Sequence, residues 1–360
     1  MSLRFAAPIG RSNVIVDSKF QFQRQALQDV DFEALDQLDD RLFSQRRCWL
    51  EFVTSFVPGE IIVAALTCEG RRVGFFTGIM FKRAGVKILA SPFRGWTTPY
   101  MGFNLEPGVP RVAALQALER FAFHELGCLH LEIADRYLSV EDGIRHGFAH
   151  RVMNGYLSDL TKSEDALWKG MTSACRRAIR KSEKSGVVIA AGEPKGFAEN
   201  YISQLQYVFA KQGLRPTYGI DRVERLIDSC FDSGDLLLLR AFEPGGQCIA
   251  TGIYPGFRRY SFFWGNASHP DFQILRPNEA LHWFAMRYWK ARGSCHHDWG
   301  GSGAYKKKYG GTPFTVPSFW KSRYRFVRVA RDTAEKLFYL PRILRRRRYD
   351  AKIAARRDAS

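Results

Sequence analysis

The run Ser294-CHHDWGGSGAYKKKYG-Gly311 sets a single carboxylate, Asp298, beside a glycine-rich turn and three consecutive lysines, Lys306 to Lys308. An apolar strand requires no such sequence. Immediately before it, Asn278 to Arg292 reads as an amphipathic helix: Asn278 is placed to cap it, and Leu281, Phe284, Ala285 and Tyr288 recur at helical spacing. Gly293 suits the stop. The order is therefore helix, short strand, polar loop, with Asp298 at the C-terminal end of the strand, where α/β sheets place ligands. His296 and His297 are adjacent on that strand and point to opposite faces, which argues against a shared metal.

Upstream, Asp235–Arg240 and Cys248–Gly265 read as strands broken by turns at Glu243 to Gly246 and at Pro255-Gly-Phe. The same order occurs earlier. Ile61–Thr67 and Val73–Phe81 predict a hairpin around Glu69-Gly70, Val86–Ala90 another strand, Pro110–Leu126 a helix and Cys128–Ala134 a strand. Gly127 follows the first helix as Gly293 follows the second. The two helices start about 165 residues apart, which suggests duplication at the scale of a domain. The expected fold is α/β (α+β), two tandem units each with a mixed twisted sheet flanked by helices. The expected boundaries are 1–155, 156–330 and a basic tail over 331–360.

Between the halves, one helix is expected from about Asp165 to Ser185, opened by a Thr161/Glu164 capping box. Trp168, Met171, Cys175 and Ile179 form its apolar stripe. Arg176, Arg177, Arg180, Lys181 and Lys184 crowd the rest, and their mutual repulsion favours an anionic partner.

The segment Leu167-WKGMTSACRRAIRKSEKS-Gly186 resembles the "LWxxLxxxxRRxIRxAEKxG" helix of the FemAB-like and CelD-like branch of the GNAT acyltransferases. Pro277-NEALHWFAMRYWKAR-Gly293, with Asp298-Trp-Gly-Gly and Ala304-YKKKYG-Gly311, is similar to the C-terminal signature of that branch. The resemblance spans about Leu50 to Arg325 and implies two tandem GNAT-like domains that transfer an acyl or aminoacyl group to an amine. The donor implied is acyl-CoA in the polysaccharide branch and aminoacyl-tRNA in the peptidoglycan branch. The matching acceptors are a nucleotide- or lipid-linked amino sugar and a peptidoglycan precursor. Lys306, preceded by Tyr305, falls on the lysine of the family's "YK" motif, and Arg176, Arg177 and Arg180 fall on its basic helix. The chain departs from the family twice: it lacks the long helical arm of some aminoacyl-transferring members, and no Q/R-x-x-G-x-G/A loop precedes Asn278. Both donor classes stay open.

Chemistry reaches the same residues. Acyl transfer to an amine needs a neutral nucleophile, a polarised carbonyl and stabilisation of the oxyanion, where loss of one donor costs on the order of 3 kcal/mol. Lys306 suits that role or donor phosphate. Asp298 leads the candidates for taking the amine's proton, with Glu279 next. Asn278, Lys307 and Arg94, the last in a loop running to Tyr100, complete the candidate phosphate- or substrate-binding set. Trp264 is carried with them, although Phe263, Trp264, Trp283 and Trp289 also suit a core.

The chain has 360 residues, 46% hydrophobic, and a formal charge of +18, enough apolar sequence for two cores and a strong draw for polyanions. Arg342 to Arg357 carry eight cations after the apolar Leu337 to Leu340, which suits peripheral contact with an anionic leaflet. No run approaches the roughly 18 apolar residues of a spanning helix and no secretory leader is read, so the location expected is cytoplasmic. Seven scattered cysteines with no C-x-x-C pair read as reduced thiols, and no metal is expected. The composition leaves a third reading, a non-catalytic binder of RNA or anionic lipid, beside the two transferase readings.

Overall fold

The chain builds one unit twice and then ties the copies together. A computed structural model describes residues 19–210, 213–301, 303–338 and 340. The first half runs β1 (Phe20–Gln25), α1 (Phe32–Asp36), α2 (Arg47–Phe56), β2 (Gly59–Cys68), β3 (Arg71–Arg83), β4 (Val86–Ser91), β5 (Phe103–Leu105), α3 (Arg111–Arg120), β6 (His130–Ala134), α4 (Val140–Arg145) and β7 (Ala149–Asp159). The second runs α5 (Glu164–Gly170), α6 (Ser173–Lys184), β8 (Val188–Ala191), α7 (Phe197–Ala210), α8 (Ile220–Cys230), β9 (Leu236–Phe242) and β10 (Cys248–Phe257). It continues with β11 (Tyr260–Phe262), β12 (Gly265–Ser268), α9 (Pro277–Ala291), β13 (His296–Asp298) and β14 (Thr312–Ser322). A further helix covers 325–338.

Each half contains an antiparallel meander followed by a helical crossover to a parallel strand. In the first, β4 pairs in parallel with β6, Ile88 opposite His130. In the second, β11 pairs in parallel with β13, Tyr260 opposite His296. α3 runs on through a π-helical turn, Phe121–Glu125, before Gly127 stops it, and Gly293 stops α9; their φ values are 65° and 85°.

The halves are joined by exchanged strands. β14, from the end of the chain, lies between β6 and β7 and pairs antiparallel with both. β7, from the first half, pairs antiparallel with β13 of the second. The sheet is thus continuous through β6, β14, β7, β13, β11 and β10. The expected boundary at 155/156 falls inside β7. A shared apolar core reinforces the junction: Trp49 and Phe52 on α2 pack in one cluster with Phe197 and Tyr201 on α7 and Leu226 on α8.

Four local expectations are corrected. The helix over Asp165–Ser185 is two helices, because Met171 and Thr172 are extended and Thr172 caps α6 through the Cys175 amide at 3.2 Å. Ser163 caps α5, while Thr161 bonds Asp159 instead. The turn expected at Pro255-Gly-Phe comes just after it: β10 runs on through Phe257 and turns back at Arg258, at φ 47°, into β11, and the chain breaks again before β12. Asn278 does not cap α9; its side chain joins Asn266 and Ser268 at 2.9 and 3.0 Å, tying the helix to β12.

Phe319 on β14 is fully buried, and a Cβ at Gly143 on α4 would collide with its ring. Phe319→Ala should therefore cost about 3 to 5 kcal/mol. Gly143→Val should cost about 1 to 3 kcal/mol through overpacking. Urea unfolding followed by circular dichroism measures both, and a cost below 1 kcal/mol for Phe319→Ala would mean that β14 is not integral to the sheet.

Candidate active site

The parallel ladder of β11 and β13 reaches only as far as Phe262 and Asp298, with one further bond from the Phe263 amide to the Asp298 carbonyl at 2.8 Å. Beyond it, β12 stays with β10, while the chain after Asp298 turns away through Gly300 and Gly301, at φ 54° and 51°. A Cβ on Gly300 would stand 3.0 Å from the Phe262 ring and 3.3 Å from the Phe263 carbonyl, so glycine lets the two segments part in close contact. A single 3₁₀ turn, Ala304–Tyr309, then returns Lys306 to the place where the strands separate.

Asp298 is buried there and accepts hydrogen bonds from the Tyr100 hydroxyl and the Gly300 amide, both at 2.7 Å. Burial raises its pKa, against the pull of these donors and of Arg136 and Lys306. Tyr100 belongs to the first half; burial and the Asp298 charge hold its hydroxyl well above its usual range, so it remains a neutral donor. Arg136, from the loop after β6, lies 4.1 Å over the Tyr260 ring and 5.6 Å over Tyr100. Burial works against its charge, but Tyr100, Tyr260, Tyr137 and Asp298 outweigh it and raise the pKa.

Lys306 is 8% exposed. Its Nζ donates to the Trp299 carbonyl at 2.6 Å and to that of Gly300, and stands 5.1 Å from the Phe263 ring. Burial lowers its pKa to about 8, with Asp298 opposing. The floor beneath it is neutral. His297 accepts or donates at Nδ1 with Ser261 at 2.8 Å, and burial followed by the Lys306 charge depresses it to about 3. His282 pairs with the Tyr254 hydroxyl at 2.9 Å and is likewise depressed by burial. His296 faces the other way, stacked on Tyr260, as strand alternation requires.

The same 3₁₀ turn sends Lys308 in another direction. There a cavity of about 360 Å³ opens between α6 and the start of α9, lined by Arg177, Lys181, Arg276, Glu279 and Lys308. Glu279 pairs with Lys308 at 2.7 Å, leaving Arg177, Lys181 and Arg276 as an excess of positive charge. No side chain caps α9, whose first turn begins at this cavity with Pro277.

The candidates therefore divide. Lys306 and Asp298 both bond the Trp299–Gly300 segment at the strand opening, Lys306 through the two carbonyls and Asp298 through the Gly300 amide, with Tyr305 half exposed beside Lys306; Arg177 and Glu279 line the cationic cavity. Arg176 instead donates to the carbonyls of Lys169 and Met171, closing the end of α5. Arg180 lies 5.3 Å over Trp168, beside a separate cleft of mixed charge. Arg94 pairs with Glu335, Lys307 is exposed, and Trp264 packs against Tyr201 and Tyr218. Sequence reasoning missed Tyr100, Arg136 and Tyr260. The aromatic loop from Arg94 to Tyr100 drew notice for its arginine, whereas its tyrosine is what reaches the carboxylate. Among the described residues, no three His, Cys, Asp or Glu side chains converge as metal ligands.

Residues 170–309 match the family described as "Acetyltransferase (GNAT) domain". Among solved structures, that of FemX has a TM-score of 0.67 at 13% identity, covering 82% of this chain and 96% of the other. A conserved protein of unknown function from Bacteroides thetaiotaomicron has a TM-score of 0.52 at 11% identity, covering 84% and 99%. No curated protein matches in sequence.

Lys306 titrates near 8 when folded and at 10.5 when free, so between these values the unfolded chain binds more protons and stability rises with pH. The difference in melting temperature, wild type minus Lys306→Met, should therefore grow from pH 8 to pH 10. Thermal melts across that range measure it, and a constant difference would mean that Lys306 titrates like a solvated lysine.

Proposed function

We propose that this chain, whose residues 170–309 match the GNAT acetyltransferase domain, is an acyltransferase of the FemAB-like branch that transfers an acyl group from acyl-CoA to an amine. The acceptor is a nucleotide- or lipid-linked amino sugar or a related cell-envelope precursor, met in the cytoplasm. The observation that carries the reading is that Lys306 and Asp298, both buried, bond the same Trp299–Gly300 segment where the parallel strands part, while Lys308 on the same 3₁₀ helix lines a cationic cavity.

In this mechanism Arg177, Lys181, Arg276 and Lys308 hold the donor's phosphates at the start of α9. The acyl carbonyl lies in the strand opening, its oxygen toward the Lys306 ammonium. The neutral amine attacks the carbonyl carbon, and Lys306 stabilises the oxyanion. Asp298, made more basic by burial and oriented by Tyr100, takes the amine's proton; the C–N bond forms, the C–S bond breaks and the CoA thiolate leaves. The neutral floor of His297 and His282 keeps competing acids away from the thioester.

One observation favours aminoacyl-tRNA as donor instead. The connection before α9, His269 to Arg276, contains no glycine, so it offers no glycine-built amide cradle for a pyrophosphate. The acceptor on that reading is a peptidoglycan precursor.

Acyl-CoA at about 100 times its dissociation constant should stabilise the protein by roughly 2.7 kcal/mol, visible as a melting shift. Arg177→Glu with Lys181→Glu should abolish the shift. Lys306→Met should lower kcat by about a hundredfold or more, read as thiol release with an amino-sugar nucleotide as acceptor. No shift with any acyl-CoA, together with transfer from charged tRNA that ribonuclease destroys, would replace the first reading with the second.

A further inference from the structure

The helix over 325–338 is amphipathic in the reverse of the usual sense. Its inner face is polar: Arg331 reaches Glu132 at 3.3 Å and covers the Trp320 ring at 4.3 Å, and Glu335 pairs with Arg331, Arg94 and Arg151. Only Val327 adds a buried apolar contact from the first turns. Phe326, Val329, Leu337 and Leu340 fall at i, i+3, i+11 and i+14, on one stripe, and are 69%, 57%, 63% and 48% exposed. Ala330 and Thr333 fill that stripe and are exposed as well. A helix of a globular protein turns such a stripe to its core.

Cations border the stripe. Arg325 and Lys336, at i−1 and i+10 from Phe326, flank it on this helix and are exposed. Residues 341–360, outside the described ones, carry eight cations against two aspartates. Apolar residues at the centre with lysine and arginine at the rim are the pattern of a helix lying in a lipid interface, where buried apolar area and attraction to anionic headgroups add. RNA would use the cations and leave phenylalanine and leucine exposed. A second copy of the chain would cover the apolar stripe but bring two sets of cations together.

We propose that the outward face of the 325–338 helix docks on an anionic lipid bilayer. Phe326, Val329, Leu337 and Leu340 enter the acyl boundary, and Arg325 and Lys336 contact headgroups. The ion pairs of Arg331 and Glu335 fix the helix to the sheet, so the body of the protein is held at a set orientation to the surface. The proposal stands apart from the donor assignment.

The test is sedimentation of the full-length protein with vesicles of phosphatidylcholine, with or without phosphatidylglycerol. Wild type should bind the anionic vesicles. Phe326→Asp with Leu337→Asp should weaken binding about tenfold or more at unchanged melting temperature. Phe326→Trp should keep binding, with a fluorescence blue shift and quenching by brominated lipid. Three results would overturn the proposal. One is unchanged binding by the aspartate variant while glutamines at Arg345 to Arg348 abolish it, which assigns contact to the tail alone. Another is equal binding to neutral vesicles. The third is a dimer in solution that Phe326→Asp dissociates.

Discussion

The site depends on the exchange of strands between halves. β7 carries the first half's hydrogen bonds to β13, and β14 carries the second half's bonds back to β6. Neither half alone contains the cluster around Asp298: the carboxylate and Lys306 come from the second, Tyr100 and Arg136 from the first. The 2.7 Å hydrogen bond from Tyr100 to Asp298 joins residues 198 positions apart and crosses from one half to the other. Local opening at that junction would separate the Asp298 carboxylate from the Tyr100 hydroxyl before either half unfolded.

Within this frame, charge is handled by burial rather than by pairing. Lys306 rests on backbone carbonyls, which accept from an ammonium without neutralising it. Asp298 rests on a phenol and an amide, which donate without supplying a full positive charge. Neither group is held in an ion pair among the described residues, and burial moves the pKa of each toward neutrality, Lys306 downward and Asp298 upward. Glu279 differs: pairing with Lys308 commits it to the wall of the cavity.

Much of the fold could be read from the chain, because its strongest signals are local. The periodicity of α9, the stops at Gly127 and Gly293 and the repeated order of elements require no knowledge of tertiary contacts. Asp298 and Lys306 were legible for the same reason, lying eight positions apart in a composition suited to no ordinary strand or helix. The break at Met171 and Thr172 was hidden because the apolar stripe continues through it in phase, so periodicity alone could not separate two helices from one. Asn278 looked like a cap, but cross-strand partners on β12 claimed its amide. Tyr100 and Arg136 left no local mark, since their role arises from a contact between distant segments.

The position of β14 also bears on how the molecule is made. Synthesis proceeds from the N-terminus, so β6 and β7 emerge long before the strand that lies between them. Until residue 322 has left the ribosome, the first half holds a gap in its sheet with two unpaired edges, each an invitation to a wrong partner. The last strand among the described residues thus acts as a fastener whose arrival completes both halves at once, and a chain released early would lack the joined sheet even though Asp298 and Lys306 had already been translated.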